Sequence, residues 1–437
     1  MIAQVREKRS QLRQKIMQGR TSELDSDLGE ALRRHWYPVV EVTAPEKEVV
    51  AVDGSRGIRQ FASGAVFYVA RALAIYGKEA FKTVDVDAFL SKGKSTDIEV
   101  FVNRKMEWLE FKAATKAIEE GDLSNVVVLM DGSLFGRLSH LPRDQPAEGM
   151  RGFMIDYFET YHRLLSLCKK RNVLLLGVSK DSRSSFLRDY LLHEILEREL
   201  SQLDIPQPAK FAITRVFQDV FDRPDQAFES FKKLKHEHGE KLRKVEQIMW
   251  EAFAARTDHQ LIRTYVEQPG HTIPIELSVS RRSHALVEEI QSNPESYVSK
   301  HFKEGLLESP DQKAFMGRAC EVLSNIPTFP TMVSFHVLLD KRDTPIRVDA
   351  PSWVFSRDTT ISEFSGGRDL LLNLNPIISI LMSGYGGLKD YNIWLKRVDE
   401  KVRLSNDVMD SIYSSVLEKE LDFTIIHTRG YRRVKYP

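Results

Sequence analysis

An α/β fold, a mixed sheet flanked by helices with a mostly helical insertion, is predicted by three observations in this chain of 437 residues. Two apolar runs, Val49-Val50-Ala51-Val52 and Val126-Val127-Val128-Leu129-Met130, end in the same tripeptide, Asp53-Gly54-Ser55 and Asp131-Gly132-Ser133. Each run reads as a buried strand that delivers an aspartate at its C-terminal end, with a glycine turn behind it. Amphipathic helical stretches alternate with such runs on both sides of residue 130. From about 186 to 325 the pattern turns to long, heavily charged segments of helical period.

Taken in order, residues 2–36 carry Ile2, Val5, Leu12 and Ile16, then Leu24, Leu28 and Leu32, at helical spacing, which predicts one or two amphipathic helices. A first strand covers 48–53. Gly57 and Gly64 bracket a turn into a hairpin partner at 65–70, and a third strand lies at 83–87 or at 97–102. Residues 103–120 form a helix whose stripe is Met106, Leu109, Ala113, Ala117 and Ile118. The second aspartate strand follows at 125–131, then a helix at 152–170 and a strand at 173–179. A meander of three strands followed by a crossover helix matches the ribonuclease-H-like architecture, in which the first strand and the strand after the crossover are neighbours. Beyond it, 186–204 and 225–256 read as helices, the latter a packed segment whose apolar positions do not sustain heptads. Strands are expected near 272–279 and at 331–339, with short extended pieces at 347–351 and 353–355. Helices near 368–382 and 406–418 and a last strand at 422–427 close the chain. The organisation expected is N-terminal helices over 1–45, the core's first part over 46–185, the insertion over 186–330, and the core's second part with a basic tail over 331–437.

Composition narrows the function without naming it. The 63 basic and 62 acidic residues nearly cancel, so any nucleic-acid contact must come from local patches. Cys168 and Cys320 are the only cysteines, form no CxxC pair, and point to a reducing compartment. The N-terminal segment is charged throughout, without the apolar core of a secretion signal. No stretch approaches the roughly 18–20 apolar residues of a membrane span. A cytoplasmic location, with no membrane role, is the expectation.

Two strands side by side would place Asp53 and Asp131 at one sheet edge, where α/β folds put their chemistry. Converging carboxylates repel unless a cation lies between them, and Mg²⁺ or Mn²⁺ suits oxygen ligands. Glu107 and Glu110, three apart, share a helix face, and Glu110 is the better placed to join them. Such an Asp-Glu-Asp set can hold two metals about 3.5–4 Å apart for phosphoryl transfer. Lys180 follows an apolar strand and would meet charge developing at phosphorus. Arg56 is a candidate phosphate contact and Asp349 a candidate fourth carboxylate. Each has a plainer alternative in an exposed arginine or a turn residue. Tyr391 can stack or hydrogen-bond. His336, alternating with Phe335 and Val337, is read as pointing to solvent. His236 and His238, two apart, do not share a face as zinc ligands would. The tail, Arg429 to Tyr436, interleaves cations with tyrosines.

Several of these segments resemble the NurA nucleases. They are Ala51-Val52-Asp53-Gly54-Ser55-Arg56, Leu109-Glu110, Leu129-Met130-Asp131-Gly132-Ser133-Leu134, Gly177-Val178-Ser179-Lys180 and Arg347-Val348-Asp349-Ala350-Pro351, in that family's order. The family carries a tyrosine followed eight residues later by a histidine. Tyr391 fits the first, whereas the second position holds Asp399. An aspartate can ligate Mg²⁺ or Mn²⁺ but cannot serve as an imidazole base. The resemblance implies a homodimeric, manganese- or magnesium-dependent DNA nuclease of 5′–3′ exonuclease and single-strand endonuclease type. It also implies work at double-strand-break ends beside a hexameric HerA translocase. The implied metal ligands are Asp53, Glu110, Asp131 and Asp399, with Lys180 and Tyr391 positioning the phosphate. Two other readings stand beside it. One is an actin-like or sugar-kinase-like ATP phosphotransferase, against which the first loop lacks the usual extra glycine. The other is a catalytically silent partner subunit, prompted by Asp399.

Overall fold

In a computed structural model the described residues are 2–10, 23–39, 48–91, 93–180 and 182–422. Among the described residues eleven strands form one sheet: β1 (Trp36–Pro38), β2 (Val49–Gln60), β3 (Ala65–Tyr76), β4 (Glu79–Leu90), β5 (Val127–Asp131), β6 (Leu174–Ser179), β7 (Gly270–Thr272), β8 (Ile275–Leu277), β9 (Met332–Leu338), β10 (Ile346–Pro351) and β11 (Gly367–Asp369). Their order is β1-β7-β9-β10-β6-β5-β2-β3-β4, with β8 on β9 and β11 on β8. The predicted meander is present as β2–β3–β4, antiparallel throughout. The Ser95–Glu120 helix then carries the chain to β5, which pairs with β2 in parallel. The fold is the expected mixed sheet with helices on both faces, in ribonuclease-H-like order.

Alternation along the strands sorts the core into layers. Val50, Val52, Val128, Met130 and Leu175 pack with Phe101, Leu109, Phe158 and Leu164 from the Ser95–Glu120 and Phe153–Lys170 helices. Ala51, Val127, Leu129, Leu176 and Val178 face the other way, against Ile378, Leu381, Leu395 and Val398 from the Asn375–Ser383 and Ile393–Val402 helices. Buried on both faces, β5 and β6 read as continuous apolar runs, which is why they were legible. A third cluster gathers residues of the helices between 186 and 266 with Leu28 and Leu32 of the Asp25–Arg34 helix.

The structure corrects several boundaries. β2 does not end at Asp53 but runs on to Gln60, so Gly54 and Gly57 are strand residues and the turn into β3 is at 61–64. The third strand spans 79–90. The alternative at 97–102 is helix, because Asp97 accepts the Lys94 N–H at 3.1 Å and starts a helix at Ser95. The strand expected near 272–279 is divided into β7 and β8. Residues 352–355 form a 3₁₀ turn. The helix expected from 368 starts at Asn375, after β11. Residues 393–402, given no element from sequence, are helical. The strand expected over 422–427, apart from Asp422, and the basic tail lie outside the described residues. His336 is wholly buried rather than solvent-facing, 5.1 Å from the Phe186 ring. No described helix is long and apolar enough to cross a membrane.

Candidate active site

Register decides what meets at the sheet edge. The parallel pairing runs Val49↔Val127 to Val52↔Met130, so Asp53 and Asp131 stand one step beyond the last pair, side by side. β6 extends the series with Asp131↔Val178, which brings Lys180 to the same edge. Asp53, Asp131 and Lys180 share the parity of Ala51, Leu129 and Val178, so all three point to the face covered by the Ile393–Val402 helix. That helix carries Asp399, and Tyr391 lies just before it.

The helix is pinned at both ends. The Asn392 side chain accepts the N–H of Trp394 at 3.1 Å and of Leu395 at 3.0 Å. At the other end Arg71 on β3 donates to the carbonyls of Val402 and Arg403, each at 2.7 Å, and the Ser55 hydroxyl accepts the Leu404 N–H at 2.8 Å. These bonds across the sheet hold Asp399 above the two strand aspartates. Ser55, in the repeated tripeptide, is thereby a helix anchor.

Within the cluster, Lys180 Nζ lies 3.2 Å from Asp131 Oδ2 and 5.2 Å from the Tyr391 ring centre. Half-burial works against the ammonium charge, but Asp131, Asp399 and Asp53 outweigh it and raise the Lys180 pKa. The Tyr391 hydroxyl is buried and turned toward the Asp131 carboxylate. Burial, then the charges of Asp131, Asp53 and Asp399, push its pKa up. Asp53 is 7% exposed and accepts the Gly54 N–H at 2.8 Å. Burial, followed by Asp131 and Asp399, pushes its pKa from the ordinary 3.8 to about 7, against the Gly54 N–H and Lys180.

That shift has a signed consequence. The folded protein binds the Asp53 proton more tightly than the unfolded chain does. The stability it contributes is present below pH 3.8 and is lost as pH rises to about 7. In EDTA, the wild-type unfolding midpoint is expected to fall relative to that of Asp53→Asn between pH 4.5 and 7.5. Parallel curves for the two proteins would refute this.

Glu110 comes to the strand aspartates from the other face of the sheet, and its charge bears on both Asp53 and Asp131. Its helix packs on the opposite face of the sheet, and its carboxylate is paired with buried Arg137. Burial holds its pKa above the usual carboxylate range in spite of that guanidinium. It approaches the strand aspartates only because residue 54 has no side chain: a Cβ there would come within 2.5 Å of Glu110 Oε1 and 2.6 Å of Met106 Cγ. Gly54→Ala is therefore expected to cost about 1–3 kcal/mol, as overpacking does. An unchanged denaturant midpoint would refute the contact. Gly132, by contrast, is the turn glycine the sequence suggested, with φ +99°.

Glu107 is held by His140 at 2.9 Å and Tyr157 at 2.8 Å. Arg56 faces the Ser95–Glu120 helix and donates to Asn103. Asp349 is no edge ligand. It is wholly buried and accepts from Ser334 and Arg347 on one oxygen, and from Ser133 and the Phe135 N–H on the other. Sequence reasoning missed Arg137, for which a lone arginine in a helix of five residues gives no signal. It also missed the Ile393–Val402 helix, whose Trp394, Leu395, Val398 and Val402 did carry one.

The donor set of Asp53, Asp131 and Asp399 is all hard oxygen, and that chemistry fits Mg²⁺ or Mn²⁺. As the side chains stand, no three ligating groups among the described residues are drawn together tightly enough to hold an ion.

A family model described as the NurA domain matches residues 47–404. The crystal structure of the NurA nuclease from Sulfolobus solfataricus is similar over 96% of this chain and 96% of that one, at TM-score 0.51 and 14% identity. A crystal structure of NurA bound to dAMP and manganese is similar over 90% and 93% of the two chains, at TM-score 0.42 and 16% identity. No curated protein matches the sequence.

Proposed function

This chain belongs to the NurA family, and from that premise we propose that it is a metal-dependent deoxyribonuclease whose chemistry sits at the edge formed by β2, β5 and β6. The observation that carries the reading is the parallel register that sets Asp53 beside Asp131, with Asp399 above and Lys180 on the β6 side of Asp131. Asp53, Asp131 and Asp399 would hold Mn²⁺ or Mg²⁺, which when bound activates water and offsets phosphoryl charge. Lys180 lies half-exposed at the mouth of the site, where its ammonium meets the charge that builds on the phosphoryl oxygens during in-line attack. Tyr391 brings a buried hydroxyl beside Asp131 to donate to a phosphate oxygen, and its ring packs against the Lys180 ammonium. Hydrolysis leaves a 3′-hydroxyl and a 5′-phosphate. With the family shown, the phosphotransferase reading is set aside.

The finer assignment goes with the family: 5′–3′ exonucleolytic and single-strand endonucleolytic cutting, by a homodimer, in end resection with a HerA-type translocase. End-labelled linear single- and double-stranded DNA, incubated in Mn²⁺, Mg²⁺ and EDTA, with and without such a translocase, tests it. Cutting in metal and none in EDTA is the expected result, with the position of the label released giving polarity. A folded protein that cuts no DNA form under any of these conditions overturns the reading in favour of a silent partner subunit, which Asp399 in place of the family histidine would then explain.

A further inference from the structure

On the sheet face opposite the clustered carboxylates, one guanidinium touches two parts of the site. Arg137, six residues after Asp131, lies in the Leu134–Leu138 helix and is 4% exposed. Its Nη2 donates to the main-chain oxygen of Asp131 at 2.8 Å and to the Glu110 carboxylate. Its Nη1 lies 3.6 Å from Met130 Sδ, and its guanidinium carbon is 5.5 Å from the centre of the Phe111 ring.

The turn it holds has little slack. Gly132 is left-handed, at φ +99°, and donates its N–H to Val178 at 2.9 Å. A Cβ on Gly177 would strike the Gly132 carbonyl at 2.7 Å. Fixing the 131–132 peptide fixes the direction of the Asp131 Cα–Cβ bond, and so where its carboxylate stands relative to Asp53.

We propose that Arg137 is the positioning residue of the carboxylate site: braced on Glu110, it clamps the main chain of Asp131 so that the two strand aspartates stay aligned across the register. The inference rests on the metal-dependent reading above. It differs in sign from the simplest alternative, in which Arg137 is only a nearby positive charge. A charge acting alone weakens cation binding, so its removal would tighten Mn²⁺; loss of a clamp loosens it.

The test is Mn²⁺ titration, followed by the electron paramagnetic resonance of the free ion, on Glu110→Gln and on Arg137→Met/Glu110→Gln. The single variant keeps a guanidinium on the Asp131 carbonyl. The double variant removes both buried charges together, which avoids stranding either one, and its thermal unfolding is recorded to show that it folds. Mn²⁺ affinity at least tenfold weaker in the double variant than in the single is expected, in the range that outer partners of metal ligands typically control. Equal or tighter binding in the double variant overturns the inference, while a wild-type protein that still binds Mn²⁺ and cuts DNA leaves the nuclease reading standing. A wild-type protein that neither binds Mn²⁺ nor cuts DNA overturns both.

Discussion

Replacing Asp53 or Asp131 with asparagine is expected to lower DNA cutting by about a thousandfold, ~4 kcal/mol in barrier, and Asp53→Asn should at the same time make the metal-free protein more stable above pH 7. The two effects have one cause. The strand register sets two carboxylates next to each other, and a third, Asp399, bears on Asp53 from the helix above. Lys180 is the cation the structure places among them. Burial and mutual repulsion make the ionised cluster costly, as the upward shift of Asp53 shows. Asparagine keeps the shape and one oxygen but removes a charge, which relieves the folded protein and weakens its hold on a cation. The opposed signs separate this outcome from misfolding, which would lower both quantities. The checks are initial cutting rates in Mn²⁺ and unfolding midpoints in EDTA at pH 7.5. Either variant with wild-type activity, or an Asp53→Asn protein that is inactive and destabilised, would refute the account. Function held at the expense of stability is a recurrent feature of active sites.

How much of this was legible in the sequence follows from what each residue needs. Asp53 and Asp131 were readable because their strands are buried on both faces, giving apolar runs that stop at a charge. Lys180 was readable by the same logic. The role of Gly54 was not, since a glycine beside an aspartate looks like a turn, whereas here it is a strand residue left bare so that Glu110 can approach. Whether a helix glutamate reaches the strand aspartates depends on which face of the sheet its helix covers. Helical spacing put Glu107 and Glu110 on one helix face but said nothing about which side of the sheet that helix would take. Tyr391 and Asp399 were reached through a family pattern. The helix that delivers them had a readable apolar stripe, obscured by the charges Lys396, Arg397, Glu400 and Lys401 interleaved with it.

Asp349→Ala is expected to be the most destabilising single change, about 3–5 kcal/mol, because it removes one half of a buried ion pair. In sequence Asp349 looked like a fourth ligand or a turn residue before Pro351. The fold gives it a different task. One oxygen accepts from Ser334 at 2.5 Å and from Arg347 at 2.8 Å, and the other from Ser133 at 2.5 Å and the Phe135 N–H at 3.1 Å. A single wholly buried carboxylate thus ties β9 and β10 to the first turn of the helix that follows Asp131. Arg347 is enclosed as well, with its guanidinium 4.8 Å from the Phe186 ring and 5.6 Å from the Phe135 ring. Alanine strands that charge away from water and leaves two hydroxyls and an amide to find new acceptors. Asparagine should cost less, since it still offers an acceptor to two of these donors. Chemical denaturation of both variants checks the order. Equal midpoints for alanine and wild type would show that Arg347 and the donors find other partners. If the loss is as large as expected, activity should fall with it even where the variant is kept folded, because the turn that Asp349 braces is the one that begins with Asp131.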